Sequence, residues 1–328
     1  MSMKISLLIP VYNAGDLLHK CLKSILNQDI GFEYEIVLVD DGSTDKSVEI
    51  IRAYQLEYSN VVLVQQKNSG SAAARNTALK YAKGEYLWFI DQDDFIDSLV
   101  LSKIYKILNA HSPDVVLMGW KHVTSDGEIK SHTKYKNGIT DGTSLMKRGI
   151  FPNQLWNKLI SSKLMKRNSL LFKDDTLMAD DFHMSFRVMF YAQEIIMTDF
   201  YAYNWLYNPI SISNKRGHKH LENIAIDSLS VGSDLERFIQ NNNNDYKKIQ
   251  FQKWLNNFWF GLFFSLYRFE YDLEFIKRII REMKSQGIYP VSRSGLTCKR
   301  SLFTTIVNSK LFFAICKVNR VVKHLCSI

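Results

Sequence analysis

Tyr86-Leu-Trp-Phe-Ile90-Asp91-Gln92-Asp93-Asp94 is five apolar residues followed at once by four polar ones, three of them acids. An apolar run of that length, closed by turn-forming residues, reads as a strand covered on both faces, the mark of a parallel sheet sandwiched by helices. The same unit precedes it three times. Ile5-Ser-Leu-Leu-Ile9 leads into apolar helical spacing from Leu17 to Leu26. Glu35-Ile-Val-Leu-Val39 leads through the N-cap cluster Ser43-Thr44-Asp45 to Val48, Ile51 and Tyr54, and Val61-Val-Leu-Val64 leads to Ala72 through Ala82. With Leu99 to Leu108 after the Tyr86 run, four short strand–helix units predict an α/β fold with a mostly parallel sheet and right-handed crossovers.

Beyond this core, Val115 to Trp120 predicts one more strand, and the polar, turn-rich Ser125 to Thr143 predicts a hairpin or excursion. From Lys219 helical spacing takes over, through Leu221 to Ile239, Ile249 to Phe269 and Leu273 to Met283, with breaks at Asn241 to Asp245 and Gly287 to Gly295. The expected organisation is a domain over 1–218, with halves 1–120 and 121–218, and a mainly helical region over 219–328.

The 328 residues are 46% hydrophobic with five prolines, which excludes a disordered chain, and 42 basic against 33 acidic residues give a charge of +9. That charge favours an anionic partner: a nucleotide diphosphate, an acidic lipid or a nucleic acid. No nucleic-acid motif accompanies it, so nucleic acid is not expected. Cys21, Cys298, Cys316 and Cys326 show neither a CxxC pair nor metal-ligand spacing, which fits a reduced, cytoplasmic setting. Ile5 to Val11 passes into Tyr12-Asn13-Ala14-Gly15-Asp16 without a cleavage site, so it reads as a strand and not a signal peptide. The apolar stretch Phe258 to Tyr267 is broken by Arg268, Glu270 and Asp272, short of the roughly 20 residues a spanning helix needs.

In an open parallel sheet the ligand crevice lies beyond the carboxyl ends of the strands. The four strands end in Pro10, Tyr12 and Asn13; in Asp40-Asp41-Gly42-Ser43; in Asn68-Ser-Gly70 with Arg75-Asn76 beyond; and in Asp91 to Asp94. One rim thus gathers carboxylates, amides and an arginine. Asp91 and Asp93, one residue apart at a strand end, can face one side and share a hard cation that completes its shell with water and phosphate. Solvated turn or N-cap aspartates are the plainer reading of each acid alone. Arg75, among Ser71-Ala-Ala-Ala74, suits phosphate recognition, against the plainer reading of a surface ion pair. Neither a Walker motif nor G-x-G-x-x-G is present, so any phosphate has to be held by metal and cations.

Four segments, Ile9-Pro-Val-Tyr-Asn13, Val39-Asp-Asp-Gly-Ser-Thr-Asp45, Gly70-Ser-Ala-Ala-Ala-Arg-Asn76 and Phe89-Ile-Asp-Gln-Asp-Asp94, resemble glycosyltransferase family 2 in order and spacing. The resemblance implies a GT-A fold, with 1–120 as the nucleotide-sugar half and 121–218 as the acceptor half. It implies that Pro10, Tyr12, Asp40 and Asp41 lie at the nucleoside, with Arg75, Asp91 and Gln92 as further nucleotide-sugar contacts. Asp91 and Asp93 would hold Mn2+ or Mg2+ with the phosphates of a UDP-sugar. Trp156-Asn-Lys-Leu159 and Ala179-Asp180-Asp181-Phe182-His183 resemble the family's acceptor segments, which makes Asp181 the catalytic base and Trp156 and Asp180 secondary residues. Direct displacement at an anomeric carbon requires such a carboxylate to take the acceptor proton; helix capping is the plainer reading of the pair. Tyr203-Asn-Trp-Leu-Tyr-Asn-Pro-Ile-Ser-Ile-Ser213 resembles the family's Tyr-Arg-x-x-x-x-Ser region but has Asn204 at the usual arginine, and Lys215, Arg216, His218 or His220 are the candidates to replace it.

The implied activity is inverting transfer of a sugar to a hydroxyl of a glycan or lipid-linked oligosaccharide in bacterial capsule, lipopolysaccharide or cell-wall polysaccharide synthesis. The alternatives are a nucleotidyltransferase, which lacks its glycine-rich basic loop here, and a catalytically silent nucleotide-sugar-binding subunit. At the C-terminus Val307, Leu311, Ile315, Val318, Val322 and Leu325 form a helical stripe opposite Lys310, Lys317, Arg320 and Lys323. That pattern suits peripheral contact with the inner face of the plasma membrane; core packing and a homodimer contact are the alternatives.

Overall fold

The computed structural model describes residues 3–28, 30–174, 176, 178–208, 217–269 and 271–326, the side chains as far as residue 319. Two compact units emerge: Met1–Gly142, Pro152–Thr176 and Asp180–Asn214 form the first, and Thr143–Phe151, Leu177–Ala179 and Lys215–Ile328 the second.

The first unit opens with the expected alternation of β1 (Ile5–Val11), α1 (Leu17–Leu26), β2 (Tyr34–Asp40), α2 (Ser47–Glu57), β3 (Val61–Gln65), α3 (Ser71–Tyr81) and β4 (Tyr86–Phe89). A short β5 (Phe95–Ile96) precedes α4 (Val100–Ala110) and the long β6 (Val115–Val123). The polar excursion is two short strands, β7 (Ile129–Thr133) on β6 and β8 (Gly138–Thr140), which pairs with a later strand. After α5 (Gly142–Lys147), which from Thr143 on belongs to the second unit, the first unit resumes with β9 (Lys158–Ser161), α6 (Ser162–Arg167), α7 (Asp180–Tyr191) and β10 (Ile195–Leu206).

The strand order is β3-β2-β1-β4-β9-β6-β10-β5. β1 pairs in parallel with β2 and β4, β2 with β3, and β6 with β10. Between these two parallel groups β9 runs antiparallel to both β4 and β6, which leaves the sheet mixed. The apolar runs are buried as their composition requires: Leu7, Leu8, Ile9, Val37, Leu38 and Trp88 are fully covered. Each such side chain stabilises the sheet by about 1.5–3 kcal/mol relative to exposure.

The second unit is helical. It carries α8 (His218–Gln240), α9 (Asp245–Arg268), α10 (Leu273–Ser285), α11 (Cys298–Val307) and α12 (Leu311–Cys326). Asn244 and Asp272 cap α9 and α10, their side chains accepting from the N–H groups of Lys247 and Glu274. The single C-terminal stripe expected from Val307 to Leu325 is in fact two helices, bent by 100°. Val307 and Phe312 are buried, whereas Leu311 and Val318 of the stripe are exposed.

Candidate functional site

At the carboxyl end of β2, Asp40 and Asp41 are both buried and both hold the chain. Asp40 accepts from the N–H of Ser43 at 3.2 Å. Asp41 accepts from the N–H groups of Ser69 and Gly70 and from Gln66 Nε2, each at 2.8 Å, so its carboxylate clamps the loop before α3. Gly70 has φ +89°, a conformation few side chains tolerate, and it turns the chain so that its N–H meets Asp41 as α3 begins.

Helix α3 carries Arg75 inward, 7% exposed, to three carboxylates. Its guanidinium bonds Asp91 at 2.9 Å, lies 3.5 Å from Asp181, and makes a short ion pair with Asp180. Asp180 also accepts from the Ser71 hydroxyl at 3.3 Å. These acids arrive from 16 to 106 positions along the chain, and both Asp180 and Asp181 sit in the first turn of α7, where the helix dipole favours negative charge.

The Asp91–Asp94 segment is a turn, the N–H of Asp94 donating to the Asp91 carbonyl at 3.1 Å, so strand alternation does not govern how Asp91 and Asp93 face. Asp91 turns to Arg75, and Asp93 accepts from Asn208 at 3.3 Å. Gln92 exchanges two hydrogen bonds with the backbone of Tyr12, at 2.8 and 3.1 Å, and so ties this turn to the end of β1, next to Pro10. The Tyr12 ring is left 46% exposed on the rim.

Two residues outside the expected set lock the turn from beneath. The buried Tyr203 hydroxyl accepts from the Asp91 N–H at 3.0 Å and donates to Asp94 at 2.7 Å, and the N–H of Leu206 donates to the other oxygen of Asp94 at 2.8 Å. Burial, reinforced by Asp91 and Asp93, pushes the Asp94 carboxyl well above the usual range. Trp156 stacks on Tyr203 with ring centroids 4.5 Å apart and meets Trp120 edge-on, which makes it a packing support for the turn. Tyr203 opens the segment in which Asn204 stands at the family's arginine, but its bonds to the turn depend on β10 lying across the sheet from β4.

Asp181 accepts from the Leu155 N–H at 3.4 Å and keeps a quarter of its side chain exposed. Burial raises its pKa to about 7, Arg75 pulling down against Asp180 and Asp91, which push up. The loop that supplies Leu155 is itself held by Lys158. This fully buried ammonium donates to the Pro152 carbonyl and the Asn157 amide oxygen at 2.9 and 3.0 Å and contacts the Gln154 carbonyl. Burial draws the Lys158 pKa down to about 7.

Asn204, in the place of the expected arginine, donates to Asp97 at 3.0 Å, and Lys121 pairs with the same carboxylate at 2.8 Å. Of the candidates to replace that arginine, Lys215 and Arg216 lie outside the described residues. His218 belongs to the second unit, where its ring is 3.7 Å from Glu222. In the last residues of β6 and β10, His122 stacks on Trp205 with centroids 4.1 Å apart, next to the half-exposed Tyr207, as an aromatic shelf.

Arg75 thus meets three carboxylates, Asp91, Asp180 and Asp181, while Asp93 and Asp94 sit on the turn that Asp91 begins. Among the described residues no group of three or more His, Cys, Asp or Glu side chains is placed to hold a metal ion. Asp91 and Asp93 supply carboxylate oxygens of the kind a hard cation takes alongside phosphate and water, and in this structure those oxygens meet Arg75 and Asn208.

The model of the family described as Glycosyl transferase family 2 matches residues 6–175. The poly(ribitol-phosphate) beta-glucosyltransferase of Bacillus spizizenii is 37% identical over 207 residues, 62% of this chain and 32% of that one. The poly(ribitol-phosphate) beta-N-acetylglucosaminyltransferase TarS of Staphylococcus aureus is 30% identical over 226 residues, 68% and 38% of the two chains. The aligned region therefore spans about a third of the length of these two relatives. The crystal structure of S. aureus TarS residues 1–349 with UDP-GlcNAc superposes with a TM-score of 0.76 at 22% identity, over 98% of this chain and 92% of that one, a likeness of fold.

Proposed function

Because the chain belongs to glycosyl transferase family 2, we propose that it transfers a sugar from a UDP-linked donor to a hydroxyl of a bacterial cell-surface polymer by single displacement with inversion. The observation that carries this reading is the Arg75 cluster. One guanidinium ties the Asp91–Asp94 turn, the expected diphosphate locus, to the start of α7, which carries the expected base. The UDP preference is supported by TarS, whose structure is known with UDP-GlcNAc, and the polymer acceptor by the names of the relatives.

In the reaction the acceptor oxygen forms a bond to the anomeric carbon as the bond from that carbon to the diphosphate oxygen breaks, and the electron pair leaves with the diphosphate. Asp181 takes the acceptor proton. An acid held near neutrality can be ionised in the resting site and protonated after transfer, which suits general-base work. Arg75 fixes Asp181 relative to Asp91, and Asp180 neutralises the guanidinium from its buried side. Asp91 and Asp93 would hold a divalent cation, which when bound supplies charge to the departing diphosphate. The His122–Trp205 shelf offers a flat face to an acceptor sugar ring. A silent binding subunit has no need of an ionisable Asp181 beside the Asp91 turn.

Calorimetric titration with UDP, GDP, CDP and dTDP, each with and without manganese, tests the donor assignment. UDP binding strengthened by manganese is the expected result. Binding of no nucleotide would overturn the reading in favour of a silent subunit.

A further inference from the structure

Acidic residues end at Glu282. From Met283 onward the sequence has eight lysines and arginines and no aspartate or glutamate, while the preceding residues carry 34 basic against 33 acidic side chains. Nearly all of the +9 charge therefore belongs to this one segment. It begins in the last turn of α10 and contains the elbow of α11 and α12.

Helix α12 buries Phe312 and Cys316, with Phe312 packed on Phe263 and Phe303 at centroid distances of 5.8 and 6.3 Å. Its opposite face presents Leu311, Ala314 and Val318 at helical spacing, Leu311 54% and Val318 60% exposed, with Lys310 and Lys317 beside them, also exposed. Leu302 on α11 is 66% exposed. Next to the first turn of α12 a cleft of about 310 Å³ is lined by Lys277, Arg281, Lys284, Tyr289, Lys310 and Phe313, among others. Lys277 pairs with Glu274 at 2.6 Å; Arg281, Lys284 and Lys310 make no ion pair among the described residues. The cleft thus combines cations with an aromatic floor, and Lys310 and Phe313 join it to α12.

We propose that this elbow docks on the surface of an anionic bilayer, the cleft receiving a phospholipid headgroup phosphate while Leu311, Ala314 and Val318 enter the interface. An exposed apolar helix face edged by lysine is the pattern of an interfacial helix, and a segment without one acid maximises attraction to anionic lipid. A second copy would set two segments of like charge against each other. Among the described residues no single helix is long and apolar enough to cross a membrane, and α11 with the start of α12 satisfies that test only across the 100° bend.

The test is co-sedimentation of the full chain with vesicles of phosphatidylcholine alone and of phosphatidylcholine mixed with phosphatidylglycerol. Binding to the mixed vesicles alone, weakened by salt, is expected. At about fivefold per cation near the surface, Lys284→Ala with Lys310→Ala lowers the affinity roughly 25-fold. Leu311→Ser with Val318→Ser, at exposed positions that leave the circular dichroism spectrum unchanged, also lowers it. Glycerol phosphate at constant ionic strength releases nothing. The proposal is overturned by absence of binding to the mixed vesicles, by unchanged binding of either variant, or by release with glycerol phosphate, which would make the cleft a site for soluble phosphate. It is equally overturned if sedimentation equilibrium shows a dimer that the Leu311 and Val318 substitutions dissolve. Because no sugar transfer is read, the result is independent of the glycosyltransferase assignment.

Discussion

Replacing Asp181 with asparagine separates catalysis from stability in opposite directions. The folded state holds this carboxyl at about 7, against 3.8 for the unperturbed group. A carboxyl raised on folding binds its proton more tightly in the folded state. Its stability contribution is therefore complete below about pH 4 and is lost as pH rises through 7. Three pKa units correspond to roughly 4 kcal/mol, a ceiling on what the ionised Asp181 costs the fold above pH 7. The asparagine loses attraction to Arg75, which keeps Asp91 and Asp180. We expect Asp181→Asn to be more stable than the parent by about 1–3 kcal/mol at pH 8.5, with the difference gone at pH 4. Transfer should fall by about 10²–10⁴ with donor binding intact, the range for loss of a general base. Urea unfolding at the two pH values, beside initial transfer rates, reads both effects. A variant less stable than the parent at pH 8.5, or one that transfers at a comparable rate, would refute the reasoning. In the parent, kcat should rise with pH through about 7 as Asp181 loses its proton.

Asp93→Ala should abolish the manganese enhancement of UDP binding in calorimetry while leaving the melting temperature close to the parent's, since the side chain of Asp93 gives up a single 3.3 Å hydrogen bond from the Asn208 amide. Tyr203→Phe should behave the other way. It strips a hydrogen bond from the buried Asp94 and another from the Asp91 N–H, a loss of about 1–3 kcal/mol in urea unfolding, and it should lower kcat by loosening the turn.

The α/β class and the rim of polar residues were legible in the sequence because buried parallel strands are written as unbroken apolar runs and their ends as turn-formers. Four such units need no long-range information. Asp41 shows how far that reading goes: its position after β2 was plain, but its three bonds to the loop of Gln66 to Gly70 were not. β9 was hidden for a related reason, since Leu159 and Ile160 are too short a run to announce a strand, and neither neighbour in the sheet adjoins it in sequence.

What the sequence by itself determined was the succession of elements and the residue types gathered at strand ends, both consequences of local periodicity and turn chemistry. Only the tertiary structure decided that Arg75 would be shared by Asp91, Asp180 and Asp181, that Tyr203 would hold the Asp91–Asp94 turn, and that α12 would bury Phe312 and leave Leu311 and Val318 outside. The physical reason is common to all three. A helix or strand has several faces that satisfy its backbone equally well, and the choice among them is made by partners that lie far away along the chain.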